Sequence, residues 1–440
     1  MKGIKSFGTL ILRLAACILA GVLLMTLVYL IPSDKIDSNV KASAALIEEE
    51  GERPYYPGVK YLKTFRDNYT DSLMMLESAH PGKNGLLIDA MLNRYGKIEG
   101  TSPNNTLVKH YQYGEEFDRS VIYGRYWNGY LLYLKPLMFF FDLSVIRVIN
   151  IIWQSLLCAA VMFLLFKRRL AFYIIPYTLS VLMTVPFAIF LNIQQSCCLA
   201  ILNIGLIAML LLYKKLSAKA LVIFLYLGIA TAFLDLLTYP LATFGVPAVL
   251  YFVLTPAESI KNSFLRMLKT AGAWLLGYAG MWLGKWLVGS LISGRNLAYD
   301  GIRQFLFRAG NAGEGMGSAK NFTVWESLYK NIRFFLVNPA TLLVIAFVIA
   351  LIIMTVIRSV KLKASFAEMC KAAFPFLVLA AAPLVWYALI VNHSVVHYMI
   401  FTSKALVVSV MAICCMIVKL YVMLKDDSNT NKLRKEIKAQ

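Results

Sequence analysis

Charge is scarce in this chain. Asp, Glu, Lys and Arg make up 15% of the 440 residues, against about 25% in soluble globular domains. Hydrophobic residues make up 59%, and the mean hydropathy is +0.65. Together these exclude a soluble single-core protein and point to a multispanning helical membrane protein. Histidine is rarer still, with four residues: His80, His110, His393 and His397. No H-E-x-x-H run and no Cys/His ligand spacing is present, so no zinc signature is written in the chain. A divalent metal stays open as a cofactor, with no residue assigned to it. The seven cysteines all fall in apolar runs or on the cytoplasmic side, so disulfides are not expected.

Acidic residues are also short, 24 against 44 Lys and Arg. The resulting +20 charge does not imply a nucleic-acid partner. The basic residues gather in short clusters between apolar runs, where they fix membrane orientation. Lys2, Lys5 and Arg13 precede or enter the first run and place the N-terminus in the cytoplasm. Later clusters, such as Lys167-Arg168-Arg169 and Lys214-Lys215, fall on one side if about ten spans are counted.

That count organises the chain. Residues 1–31 form the first span, read as a retained helix rather than a signal peptide. Residues 32–142 form a polar exterior segment, expected to hold amphipathic helices over 40–50 and 85–95 that lie on the membrane surface. Its last part, 129–142, is apolar but short and reads as an interfacial or re-entrant helix. Spans two to seven occupy 143–290, with the third over about 170–190 and the sixth over about 239–255. Residues 291–338 form an exterior Gly- and Arg-rich loop. The last three spans lie in 339–424, and 425–440 is a cytoplasmic tail. The fold class is therefore an all-α transmembrane bundle with a helical exterior first loop.

Notable polar residues gather at the outer helix ends, where their desolvation cost implies a hydrated cleft. Asp67 and Asp71 are four apart and share a helix face. Either can act as a general base, with Asp71 ahead. Asp34, just after the first span, is a rival base or an ordinary helix cap. Arg125, beside Tyr126 and Trp127, suits a phosphate or sugar at headgroup level; an aromatic belt is the plainer reading. Asp235 and Tyr239 sit in a tight hairpin, Leu234 to Pro240. Arg303 and Arg308 flank the Gly-rich run Ala309–Gly317, which suits a lid or a linker. His393, His397 and Lys404 complete the set as phosphate or substrate contacts.

One helix, a long acidic exterior loop and a many-span bundle resemble the GT-C class of membrane glycosyltransferases. The 123–128 knot, the 234–240 hairpin and Asn392 to Thr402 resemble segments of multispanning bacterial proteins of that type. The resemblance implies a polyprenyl-phosphate sugar donor, a glycan or lipid acceptor, an exterior-loop carboxylate as base and an inverting displacement. It departs from the class in one respect. An adjacent acidic pair after the first helix is common there, whereas Asp34 and Asp37 are three apart and Asp71 comes much later. A transporter or flippase of a lipid-linked or anionic glycan, or a non-catalytic cell-envelope assembly protein, fits the same layout.

Overall fold

A computed structural model describes residues 2–56, 64–310, 322–362 and 365–439, with side chains described from Phe7 to Leu424 within those ranges. Among the described residues the chain is helical apart from one two-stranded antiparallel sheet. Helix α1 (Lys2–Val28) leads to α2 (Asp34–Glu50), α3 (Asn68–Ala79) and α4 (Leu86–Leu92). Strand β1 (Arg94–Lys97), α5 (Pro103–Tyr113) and strand β2 (Arg119–Ile122) follow, the strands pairing antiparallel with Arg94 opposite Ile122. Then come α6 (Leu131–Phe140), α7 (Leu143–Lys167), α8 (Ile174–Met183), α9 (Pro186–Phe190), α10 (Ile193–Leu211), α11 (Leu216–Leu234) and α12 (Leu241–Leu254). The chain closes with α13 (Ile260–Ser293), α14 (Leu297–Ala309), α15 (Val324–Leu336), α16 (Ala340–Leu362), α17 (Phe366–Leu389), α18 (Val391–Val396) and α19 (Val407–Ala439).

Eight helices among the described residues are long and apolar enough to cross a membrane. That corrects the expected ten at two places. The stretch 170–190 is broken into α8 and α9 at Thr184 and Val185. Val185 adopts a left-handed backbone (φ 59°) just before Pro186, a residue that disfavours helix in its predecessor. Helix α12 has 14 residues, roughly 21 Å, short of a bilayer core of roughly 30 Å. All but its last residue is buried, so its all-round hydrophobicity serves the inside of the bundle. By contrast, α16 buries only Thr355.

The segment between α1 and α7 is more compact than surface-lying helices would be. Ile36, Val40, Ala44 and Ile47 of α2 bury the spacing of a helix face against Met74 and Met75 of α3 and Leu107 of α5. The same cluster continues into α1, α6 and α13. Helix α4 stops at Leu92 because Asn93 turns left-handed (φ 43°), so the helix expected over 85–95 gives way to a strand. Helix α6, at ten residues, is short as expected and wedges beside α1, α2, α3 and α7.

Helices α11 and α13 pack backbone to backbone. A Cβ on Gly228 would lie 2.1 Å from Trp274 O, and one on Gly277 would lie 2.2 Å from Leu225 O. Small residues at reciprocal positions are what lets membrane helices approach so closely.

Candidate functional site: an arginine-lined aromatic cavity and a buried acidic layer

Helix α13 carries Trp274, Tyr278, Trp282 and Trp286, each four residues apart. On a helix that spacing stacks them along one face. Trp274 and Tyr278 stack with centroids 4.8 Å apart, and the ladder continues at 6.1 and 5.7 Å. The last three line a cavity of about 290 Å³ together with Leu237, Phe305, Trp386, Arg125 and Arg308. The four-residue aromatic spacing was the available signal for this wall, and sequence reasoning passed over it.

Two guanidinium groups reach this cavity. Arg125 lies 4.4 Å from the Tyr123 ring centroid and 5.3 Å from that of Tyr126. Arg308 lies 5.5 Å from the Tyr126 ring. The buried Tyr126 ring thus draws both cations by cation–π attraction. Arg125 also pairs with Asp300 at 3.3 Å, and its carbonyl accepts from Trp286 Nε1 at 2.9 Å. The knot is tied to the 234–240 hairpin by Gly129 N–H donating to Phe233 O at 2.8 Å. Several buried polar atoms here find no partner among the described residues: Arg125 Nε, Tyr278 OH and Trp282 Nε1. Such orphans call for an explanation, and a bound polar group is one.

His393 sits behind the same hairpin. Its Nε2 is 2.7 Å from Leu237 O; a carbonyl only accepts, so Nε2 carries the proton and the unpartnered Nδ1 is a free acceptor. Burial, with the neighbouring charges of His397 and Arg308, drives the His393 pKa well below the ordinary value. Burial and Arg308 lower His397 to about 4. The rings are 4.7 Å apart. As neutral imidazoles the pair adds no positive charge to an anion site; what it offers is a hydrogen-bond acceptor.

The carboxylates form a separate layer at the start of α10. Asp67 caps α3, accepting from Thr70 N at 3.3 Å and Thr70 Oγ1 at 2.5 Å. Its own N–H donates to Asn192 Oδ1 at 2.6 Å. Asp71, one turn on, accepts the N–H of Ile193 at 3.2 Å and of Gln194 at 3.4 Å. A carboxylate from one helix thus closes the N-terminus of another, where backbone donors are unpaired. Asp235 caps its own hairpin through Thr238 N at 2.9 Å and the Thr238 hydroxyl, and accepts from Gln194 Nε2 at 3.3 Å. Gln194 therefore links the two acids. Burial lifts Asp71 to about 7, against the opposing charge of Arg147 and the two amides. Burial likewise lifts Asp235 to about 6 and raises Asp67, the latter opposed by its Thr70 contacts and by Arg53 and Lys404.

Behind this layer Glu50 bridges Arg66 and Arg147, and Arg147 also donates to Asn68 Oδ1 at 2.7 Å. Sequence reasoning missed two further groups. Glu77, noted only as a polar residue, is fully buried with one oxygen bonded by Tyr130 OH and the other unpartnered; burial pushes it to about 8. Gln195 is buried with both amide atoms unpartnered.

Other predicted residues stand apart. Asp34 is exposed at the start of α2, one place after the Ser33 cap position, and lines a different cleft of about 630 Å³ with Asp37, His80 and His110. Trp127 and Tyr239 are buried, donating to Met281 O and Gln195 O. Lys404 is buried and donates to Ile400 O. Arg303 is exposed on α14, away from the cavity wall. The Gly-rich run beyond Gly310 lies outside the described residues. Among the described residues no group of three or more His, Cys, Asp or Glu side chains could hold a metal.

No protein-family model, curated protein or solved structure matches the chain.

Proposed function

We propose that this chain is a GT-C-type membrane glycosyltransferase. It would move a sugar from a polyprenyl-phosphate donor to an acceptor hydroxyl at the outer face of the membrane. In this reading both termini are cytoplasmic, which the clustering of Lys and Arg supports. The observation that carries the reading is the pair Arg125 and Arg308, both held on the Tyr126 ring at the wall of a largely apolar, tryptophan-lined cavity. Apolar walls suit an isoprenoid chain, and two guanidiniums suit a phosphate. Partly buried beside a low-dielectric surface, they would stabilise the charge that grows on the departing phosphate.

The proposed base is Asp71. Burial holds its proton affinity near neutrality, where a general base works best. Its oxygens retain lone pairs beyond those used by Ile193 and Gln194. The acceptor O–H would give its proton to Asp71 while its oxygen attacks the anomeric carbon. The bond from that carbon to the donor phosphate breaks, and the phosphate leaves with both electrons. A single displacement inverts the anomeric centre. Asp34 is not favoured, because it faces another cleft.

The test is a transfer assay with a radiolabelled polyprenyl-phosphate sugar and membrane glycan acceptors. Asp71→Asn, folded, is expected to lose transfer, and full activity in that variant together with Asp34→Asn would sink the reading. Transport is the second reading. The fully buried Lys285 on α13 and the break at Val185 favour it, since charge and broken helices inside a bundle mark transport pathways. Solute uptake into vesicles without any sugar transfer would select it.

A further inference from the structure

A second apolar cavity, of about 390 Å³, lies between α6, α7 and α10. Its rim includes Trp153 and Ile204, exposed on two helices that are each long and apolar enough to span a bilayer. An opening flanked by such residues on two spans would face lipid chains. Its floor is not wholly apolar: Asn150, Gln154 and Ser196 line it. Gln154 is 1% exposed and its Oε1 has no partner among the described residues. A buried amide oxygen left unpaired in hydrocarbon is costly unless a ligand donor meets it.

Two residues that line this groove adjoin the acidic layer. Ile193 lines the groove, and its N–H is held by Asp71. Leu234 lines the groove, and Leu237 lines the aromatic cavity. Asp235 lies between those two residues in the hairpin. Asp71 thus contacts a residue that lines the groove, and Asp235 follows another in the chain.

We infer that the α7–α10 groove holds the hydrocarbon chain of a second membrane amphiphile, the acceptor, and that its hydroxyl head lies at Gln154, on the side of the groove where Ile193 contacts Asp71. The inference rests on the transfer reading and narrows the acceptor to a lipid-borne alcohol. A water-soluble acceptor would have no use for an apolar groove rimmed by bilayer-facing residues.

The probe is a photoactivatable long-chain alcohol, added to the full-length protein in nanodiscs, with cross-linked peptides mapped by mass spectrometry. Cross-links are expected on α7 and α10. Ala200→Phe, which fills the groove, is expected to lower them about tenfold, equivalent to about 1.4 kcal/mol. Gln154→Leu guards against a folding failure of that variant: it is expected to weaken labelling by the alcohol but not by the matching hydrocarbon probe. Labelling spread over other exposed helices such as α16, or unchanged in both variants, overturns the proposal. Polyprenyl-phosphate binding, measured in parallel, is expected to survive Ala200→Phe. Its absence from the wild type would defeat the donor reading instead.

Discussion

Asp71 on α3 and Ile193 at the start of α10 meet head-on, the carboxylate accepting the helix's first free N–H at 3.2 Å. The contact joins residues 122 positions apart and locks the segment between α1 and α7 to the bundle. Asp71→Asn keeps one acceptor oxygen and is expected to keep the fold. Asp71→Ala leaves buried donors unpaired and is expected to cost about 1–2 kcal/mol. Thermal melting in detergent, compared across the two variants, checks this.

The same acid sets a pH signature. Asp71, Asp235 and Glu77 titrate at about 7, 6 and 8 in the folded chain, above the roughly 4 of exposed carboxyls. The folded state therefore binds these protons more tightly than the unfolded one. Their contribution to stability is full below about pH 4 and is lost as pH rises through their folded values. His397, lowered to about 4, has the opposite sign: its contribution is present above about 6.5 and is lost as pH falls towards 4. Asp71→Asn isolates one carboxyl. Its melting temperature relative to wild type is expected to climb from pH 6 to pH 8, and a flat difference would contradict a buried, proton-holding Asp71. If Asp71 is the base, the transfer rate rises over the same range.

Glu50 is the hinge of a three-way ion cluster, its side chain 13% exposed between Arg66 at 9% and Arg147 at 5%. Burial pushes its carboxyl up, but Arg147, Asn68 and Arg66 outweigh that and hold it below its usual value. Glu50→Ala would leave the Arg66 and Arg147 guanidiniums without their paired carboxylate, with Asp71 the remaining acid nearby. Breaking a buried pair from one side costs roughly 3–5 kcal/mol, and the partial exposure here places the expected loss at or below the lower end. The measurement is the melting shift of Glu50→Ala against Glu50→Gln, which keeps a hydrogen-bond acceptor and is expected to lose less.

Gly228 and Gly277 each admit the partner helix's backbone to within 2.1–2.2 Å of where a Cβ would stand. Either glycine changed to Ala is expected to force α11 and α13 apart and to lower yield of folded protein, whereas Gly272→Ala, with nothing within 4 Å, is expected to be silent. Size-exclusion profiles of the three variants decide it.

The helical bundle was legible because apolar runs in a charge-poor chain leave little alternative. The span count was not. Hydropathy registers 239–255 as a crossing, yet α12 is apolar because it is buried on every side, and Val185 breaks a run that composition reads as continuous. Residue types flagged Asp67, Asp71, Arg125, Asp235, Arg308 and His393 as notable. Sequence ranked Asp71 ahead of Asp34 but kept both as candidate bases; only tertiary packing puts one in a solvent cleft and the other on the α10 terminus. Trp282 and Trp286 escaped notice for the same reason that α12 misled. An aromatic repeat inside a long apolar run looks like ordinary span until a cavity is seen against it.

The central claim is that Arg125 and Arg308 hold a lipid phosphate, and native mass spectrometry of the purified full-length chain with added polyprenyl phosphate tests it most directly. Saturable binding is expected for the wild type, weakened about tenfold or more in Arg125→Gln and again in the Arg125→Gln/Arg308→Gln pair, with Arg303→Gln unchanged. Binding of equal strength in all four proteins, or none in the wild type, would contradict it.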